Sequence, residues 1–176
     1  QNCPLAEIVF DKFHVSKKVN EALDKVRKQE FAKAGKTKRV EMKHKRFVIL
    51  KRNKNLEPKQ KEDLQSIMKR NKRLYKAYLL KEQLADILDE PEEKNAVNRL
   101  QKWMKNVKKS RLPQFKKVLQ TIHNYLYGIL NYFKHKITNA ASEAFNNKIG
   151  LLKRRAYGYR DLEYFKLKII NNCWRS

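Results

Sequence analysis

The sequence predicts a mostly α-helical protein, and three observations carry that expectation. Apolar residues return every three or four positions in one segment after another, glycine and proline number only four each in 176 residues, and no series of alternating strands is present. One short strand is expected beside the helices. Ile8-Val9-Phe10 is a brief apolar run with β-branched residues, and Asp11 ends it where a helix begins. Val15, Val19, Ala22, Leu23 and Val26 then recur at helical spacing until Gly35 and the basic stretch Lys36-Thr37-Lys38-Arg39 interrupt the pattern. Phe47-Val48-Ile49-Leu50 reads as helix rather than strand, because its flanks are rich in lysine and arginine and lack turn residues. Asn53-Lys54-Asn55 marks a break.

Pro58 suits the first turn of the next helix, which carries Leu64, Ile67 and Met68 to a kink or break near Asn71. Leu74, Ala77, Tyr78, Lys81, Leu84 and Leu88 continue the period as far as Glu90-Pro91, where proline cannot extend it. Ala96, Leu100, Trp103, Met104 and Val107 form an amphipathic helix. Ser110 and Pro113 are expected to open a longer one with Val118, Ile122, Leu126, Ile129, Leu130, Phe133 and Ile137. The elements together predict an antiparallel helical array joined by short polar loops.

Lysine and arginine number 43 against 18 acidic residues, a formal charge of +25. Such an excess repels itself unless a polyanion relieves it, so nucleic acid is the expected partner. The cations run along the whole chain, which puts the positive field on the folded body rather than on a tail. A hydrophobic content of 41% is enough for a core and argues against intrinsic disorder. Cys3 and Cys173 stand near opposite ends without metal-ligand spacing, and His44, His123 and His135 are scattered, so none of them predicts a zinc site. No apolar run approaches the roughly 20 residues that cross a bilayer, and no signal peptide opens the sequence. A soluble cytoplasmic protein with no membrane partner is the expectation. The chain begins at Gln1 in what reads as a connection between a helix and a strand, and a piece of a longer protein is expected.

Three groups of residues carry chemistry. On a helical wheel through 139–155, Glu143, Asn147, Gly150 and Arg154 share one side while Phe145, Ile149 and Leu152 share the other. Asn139 is the expected cap, and a carboxylate in the first turn is favoured by the helix dipole and suits a hard cation. By helix chemistry alone, an ordinary first-turn acid is the plainer account of Glu143. Asp11 and His14 sit three residues apart where strand gives way to helix. Asp11 could cap the helix while His14 reaches an acid or a phosphate, although a capping aspartate beside an ordinary histidine has the same spacing. Lys153-Arg154-Arg155, followed by Tyr157, Gly158, Tyr159 and Arg160, joins phosphate-binding cations to rings that stack on unpaired bases. A helix end with packed tyrosines is the alternative.

Several segments give these residues a context. Ala6-Glu7-Ile8-Val9-Phe10-Asp11-Lys12-Phe13-His14-Val15, the following Val19-Asn20-Glu21-Ala22-Leu23-Asp24, and Ala77-Tyr78-x-Leu80-Lys81-Glu82 occur in order. They are followed by Thr138-Asn139, Glu143, Asn146-Asn147-Lys148-Ile149 and Lys153-Arg154-Arg155-Ala156-Tyr157-Gly158-Tyr159-Arg160. The chain so described resembles bacterial insertion-sequence transposases of the ISL-three family, members of the DDE superfamily. The resemblance implies the C-terminal portion of a ribonuclease-H-like catalytic domain. In that reading, residues 1–14 hold one residual core strand and a D-x-x-H motif made by Asp11 and His14. Residues 15–137 are a large all-helical insertion, and residues 138–176 bring the Glu-bearing helix, the basic and aromatic cluster and a final helix.

The resemblance further implies that Glu143 is the third acid of the catalytic set and a ligand of Mg²⁺ or Mn²⁺, with Asp11 and His14 beside it. Asn147, Lys148, Lys153, Arg154, Arg155, Tyr157, Tyr159 and Arg160 would hold DNA. It implies DNA cleavage and joining on two divalent ions held by three carboxylates, with transposon ends and target DNA as partners and homo-oligomers in the intact enzyme. One glutamate cannot hold that pair of ions. The chain alone is therefore expected to bind no metal tightly and to cut no DNA, and a non-catalytic basic helical module that binds DNA or RNA is the alternative function.

Overall fold

The computed structural model describes residues 7–136 and 140–173, which divide into two compact units on either side of Lys136. The N-terminal unit holds α1 (Lys12–Lys33), α2 (Lys36–Met42), α3 (Arg46–Leu50), α4 (Pro58–Arg70), α5 (Lys72–Leu88), α6 (Glu93–Lys109), α7 (Pro113–Asn124) and α8 (Leu126–His135), with a 3-10 turn over Asn53–Asn55. The C-terminal unit holds α9 (Ala140–Arg155) and α10 (Leu162–Cys173).

The core of the N-terminal unit is what helical periodicity predicts. Val15, Val19, Ala22, Leu23 and Val26 of α1 are buried, and α1 packs chiefly against α5 and α7. Leu74, Ala77, Tyr78, Leu84 and Leu88 line the inner face of α5, while α6 presents Ala96, Leu100, Trp103 and Val107. Apolar side chains removed from water at about 25 cal/mol per Å² supply the driving force. Trp103 adds a polar tie, its indole N–H donating to the Leu80 carbonyl at 2.8 Å. Asn71 ends α4 and caps α5, its side chain accepting from the Leu74 N–H at 2.9 Å, as the expected break requires. Phe47 to Leu50 is helical, and Pro58 opens α4.

Three expectations are corrected. Ile8 to Phe10 forms no strand and no helix, and no residue among those described is in a strand. Its polar groups are satisfied by α8 instead: the Phe10 N–H donates to the Gly128 carbonyl at 2.9 Å, and Asn131 Nδ2 donates to the Ile8 carbonyl at 2.9 Å. The expected long helix from Pro113 is two helices that part at Tyr125, whose ψ of 20° leaves the helical range. Ser110 closes α6 rather than opening α7: its hydroxyl donates to the Val107 carbonyl at 2.7 Å and accepts from the Leu112 N–H at 3.2 Å. Asn139 and the end of the expected helix at Ile137 lie outside the described residues.

Gly128 explains how the segment Ile8 to Phe10 comes so close. A Cβ at this position would stand 3.0 Å from Phe10 Cβ and 3.2 Å from Phe10 N, tighter than nearly all real contacts. The glycine therefore lets the segment before α1 lie directly on α8. Among the described residues, no helix is long and apolar enough to cross a membrane.

Candidate nucleic-acid interface

Asp11 is the N-cap of α1. Its φ and ψ of −62° and 131° lie outside the helix, its side chain accepts from the Phe13 N–H at 2.8 Å, and the residue is buried. One oxygen of the carboxylate is thus committed to the orphan donors of the first turn. His14, one turn on, is exposed, with its ring edge-on to Phe10 at 5.8 Å between centroids. The pair therefore splits into a buried cap and a ring open to solvent. Phe10 also stacks on Tyr125 at 4.6 Å, so the turn is braced by the start of α8.

Asn131, buried beneath Ile8, and Gly128 position this turn, and sequence reasoning gave neither of them a role. A glycine and an asparagine inside an apolar helix were the only signals. Glu7 completes the clasp, pairing with His135 and with Lys134 at 3.1 Å. Hydrogen bonds from His135 and then Lys134 hold the Glu7 carboxyl below its ordinary value.

In the C-terminal unit, Glu143 lies in the first turn of α9 and is exposed. Asn147, one turn on, is exposed as well, while Phe145, Ile149 and Leu152 are half-buried, which matches the expected division of faces. Lys148 is exposed. Lys153, Arg154 and Arg155 fill the last turn of α9 and all reach solvent, where cations also answer the helix dipole. Beyond them the Tyr157 ring is fully exposed and Arg160 is exposed.

Tyr159 behaves differently. It is half-buried and stacks on Phe165 at 4.6 Å between centroids, with Tyr164 at 6.1 Å. Asp161 opens α10 by accepting from the N–H groups of Glu163 and Tyr164 at 2.8 and 3.1 Å.

Asp11 and His14 therefore share one turn of the N-terminal unit, and Glu143 shares a helix with the cationic cluster in the other. Among the described residues, no three of His, Cys, Asp and Glu come together as a metal cage.

A transposase family profile matches residues 1–169, nearly the whole chain. The chain belongs to the ISL-three transposase family. Among curated members, it is 33% identical over 169 residues to the transposase for insertion sequence element IS1001 of Bordetella parapertussis, an alignment covering 94% of this chain and 42% of that protein. It is 28% identical over 183 residues to the transposase for insertion sequence element IS1557 of Mycobacterium tuberculosis, covering 91% and 41% respectively. The family member described here thus spans about two-fifths of the length of these curated relatives. No solved structure matches it.

Proposed function

We propose that this chain is the C-terminal part of the catalytic region of a DDE transposase, an enzyme that cuts DNA strands and joins them elsewhere. The observation that carries the reading is the family match over residues 1–169 together with a solvent-facing Glu143 one helix-length from Lys153, Arg154 and Arg155. In this reading the last part of a ribonuclease-H-like core is carried by residues 138–176, the helices from 15 to 137 are an insertion into it, and Asp11 and His14 form the D-x-x-H motif.

Glu143 fits one ligand's share of a hard-cation site, being an exposed carboxylate at a helix N-terminus. The described residues do not supply a full set, so the remaining carboxylates would come from elsewhere in the enzyme. A bound Mg²⁺ or Mn²⁺ pair supplies charge stabilisation to an in-line attack on a phosphodiester. This chain's own part is to present the Glu143 carboxylate and to hold the DNA. Lys153, Arg154, Arg155 and Arg160, with Lys148 further up α9, neutralise phosphates, Asn147 donates hydrogen bonds, and Tyr157 offers a ring to an unpaired base. Tyr159, half-buried and stacked on Phe165, supports that ring's segment. The homo-oligomeric state belongs to the intact enzyme.

The test extends the chain upstream of Gln1 to the length of its relatives and replaces Glu143 by Gln. Cleavage of transposon-end DNA is expected to fall by at least about a hundredfold while DNA affinity stays within about twofold, since one catalytic carboxylate is removed and no phosphate contact is lost. Cleavage unaltered by Glu143→Gln would instead favour a basic module in which the acid only caps a helix.

A further inference from the structure

We infer that the outward face of α1, with the clefts that α7 and α3 form against it, is a second seat for the backbone of duplex DNA, built from other residues than the cationic end of α9. The inference rests on the reading of this chain as acting on DNA. One cleft, of about 650 Å³, runs between α1 and α7 and carries Lys18, Lys25, Lys28 and Lys117. The other, of about 590 Å³, runs between α1 and α3 and carries Lys17, Lys25, Lys28 and Arg46. Lys25 and Lys28 therefore crest a ridge with a basic hollow on each side.

The charges on this face do not cancel. Six cations line the two clefts against two carboxylates, Glu21 and Asp24. Asp24 is already saturated: Arg27 binds it at 2.7 Å, Lys28 at 3.2 Å and Arg46 at 3.4 Å. Burial works against its ionisation, yet the hydrogen bonds from Arg27 and Lys28 win and hold the carboxyl below its ordinary value. Asp24 thus acts as an internal anchor that fixes Arg46 and Lys28 on the surface. Glu21 is 3.8 Å from Lys18. Lys17, Lys25 and Lys117 are exposed and have no ion pair among the described residues.

Lys18 to Lys28 spans about 15 Å at 1.5 Å per helical residue, the length of roughly four base-pair steps along one DNA strand. A solvated helix face would need no concave flanks. Here the unpaired cations sit on the walls of hollows that a rounded, regularly charged backbone fits, and low-dielectric walls focus the field. Contacts of this kind hold phosphates and carry no sequence preference.

The experiment measures affinity of this chain for a duplex of about 30 base pairs of arbitrary sequence by fluorescence anisotropy across about 50 to 300 mM salt. Three variants are compared: Lys17→Gln/Lys25→Gln/Lys117→Gln on the ridge, Lys102→Gln/Lys105→Gln/Lys109→Gln on the exposed face of α6 as an equal change of net charge, and Lys153→Gln/Arg154→Gln/Arg155→Gln. Because the ridge lysines have no ion pair among the described residues, helicity by circular dichroism should match the parent. The ridge variant is expected to lose about tenfold or more in affinity near 150 mM and to flatten the salt slope by about 2 to 3, at roughly 0.9 per lost phosphate contact. The α6 variant should do neither. A ridge variant indistinguishable from the α6 variant overturns the inference, and the proposed function then stands if the variant at the end of α9 still weakens binding. A parent chain that binds no duplex at any salt removes the proposed function, and the inference with it.

Discussion

Tyr157 shows at the scale of one residue how a local sequence choice can trade stability for contact. The Gly158 N–H donates to the Lys153 carbonyl at 3.0 Å and the Tyr157 N–H to the Arg154 carbonyl at 3.1 Å, the two bonds of a Schellman motif. The motif puts Tyr157 at φ 51° and Gly158 at φ 102°. Glycine is the usual occupant of the first of these positions, and a side chain there costs about 1 kcal/mol. Packing returns nothing, because the ring is fully exposed. Strain held by a solvent-facing aromatic is the pattern of a contact residue. Tyr157→Gly should therefore stabilise the end of α9 by about 1 kcal/mol, read as greater amide protection there. It should also lower affinity for single-stranded DNA by about 1 kcal/mol or more, the worth of one stacked base. Unchanged single-strand affinity would leave the strain without a purpose.

Helices differ in how far they can stand alone, and the C-terminal unit is the weaker case. Helices α9 and α10 pack against each other, but none of residues 143–172 is fully buried, and Leu162, Leu167 and Ile170 are largely exposed. A pair of helices of 16 and 12 residues without a buried core falls below what sustains independent stability. Hydrogen exchange should find the amides of α9 and α10 at least about a hundredfold less protected than those of α1, α5 and α6 in this chain alone. Equal protection would mean that the hairpin needs no further partner. This contrast also explains what the sequence made legible. Helices such as α1, α5 and α6 bury one stripe against neighbours, so period 3.6 recorded them correctly at Val15, Leu74 and Trp103. The parting of α7 from α8 has no such record, because Tyr125 carries no glycine or proline signal and the apolar rhythm runs straight across it. The strand expected at Ile8 failed for a different reason: a strand exists only where a second one pairs with it, which is a non-local fact that a short β-branched run does not carry. In the candidate site, residue types at Glu143 and Lys153 to Arg160 were readable from the chain. The lysines of the α1 ridge were not, since charged helix faces look alike until a cleft is seen beside them.

For the molecule as a whole, the surplus of +25 sets the behaviour. Pairs such as Arg52 with Asp89 at 2.6 Å and Lys54 with the same acid at 3.1 Å gather two cations on one acid, and 43 lysines and arginines against 18 acids leave a large uncompensated surplus. Raising sodium chloride from about 20 to about 300 mM shortens the screening length from over 20 Å to below 10 Å. The melting temperature should therefore rise by roughly 3 °C, equivalent to about 1 kcal/mol. A fall would mean that favourable pairs outweigh repulsion. The same salt that steadies the free protein should loosen its grip on DNA, because released counterions drive that grip. A last consequence follows from the clasp in which Glu7 meets Lys134 and Ile8 meets Asn131. About 130 residues separate the point where backbone enters this helical unit from the point where it leaves, yet the two points touch. A body hinged at one doorway in this way can be spliced into a bend of another architecture without prising that architecture apart. The host then gives up only the entropy of a short bend, whatever the size of its guest.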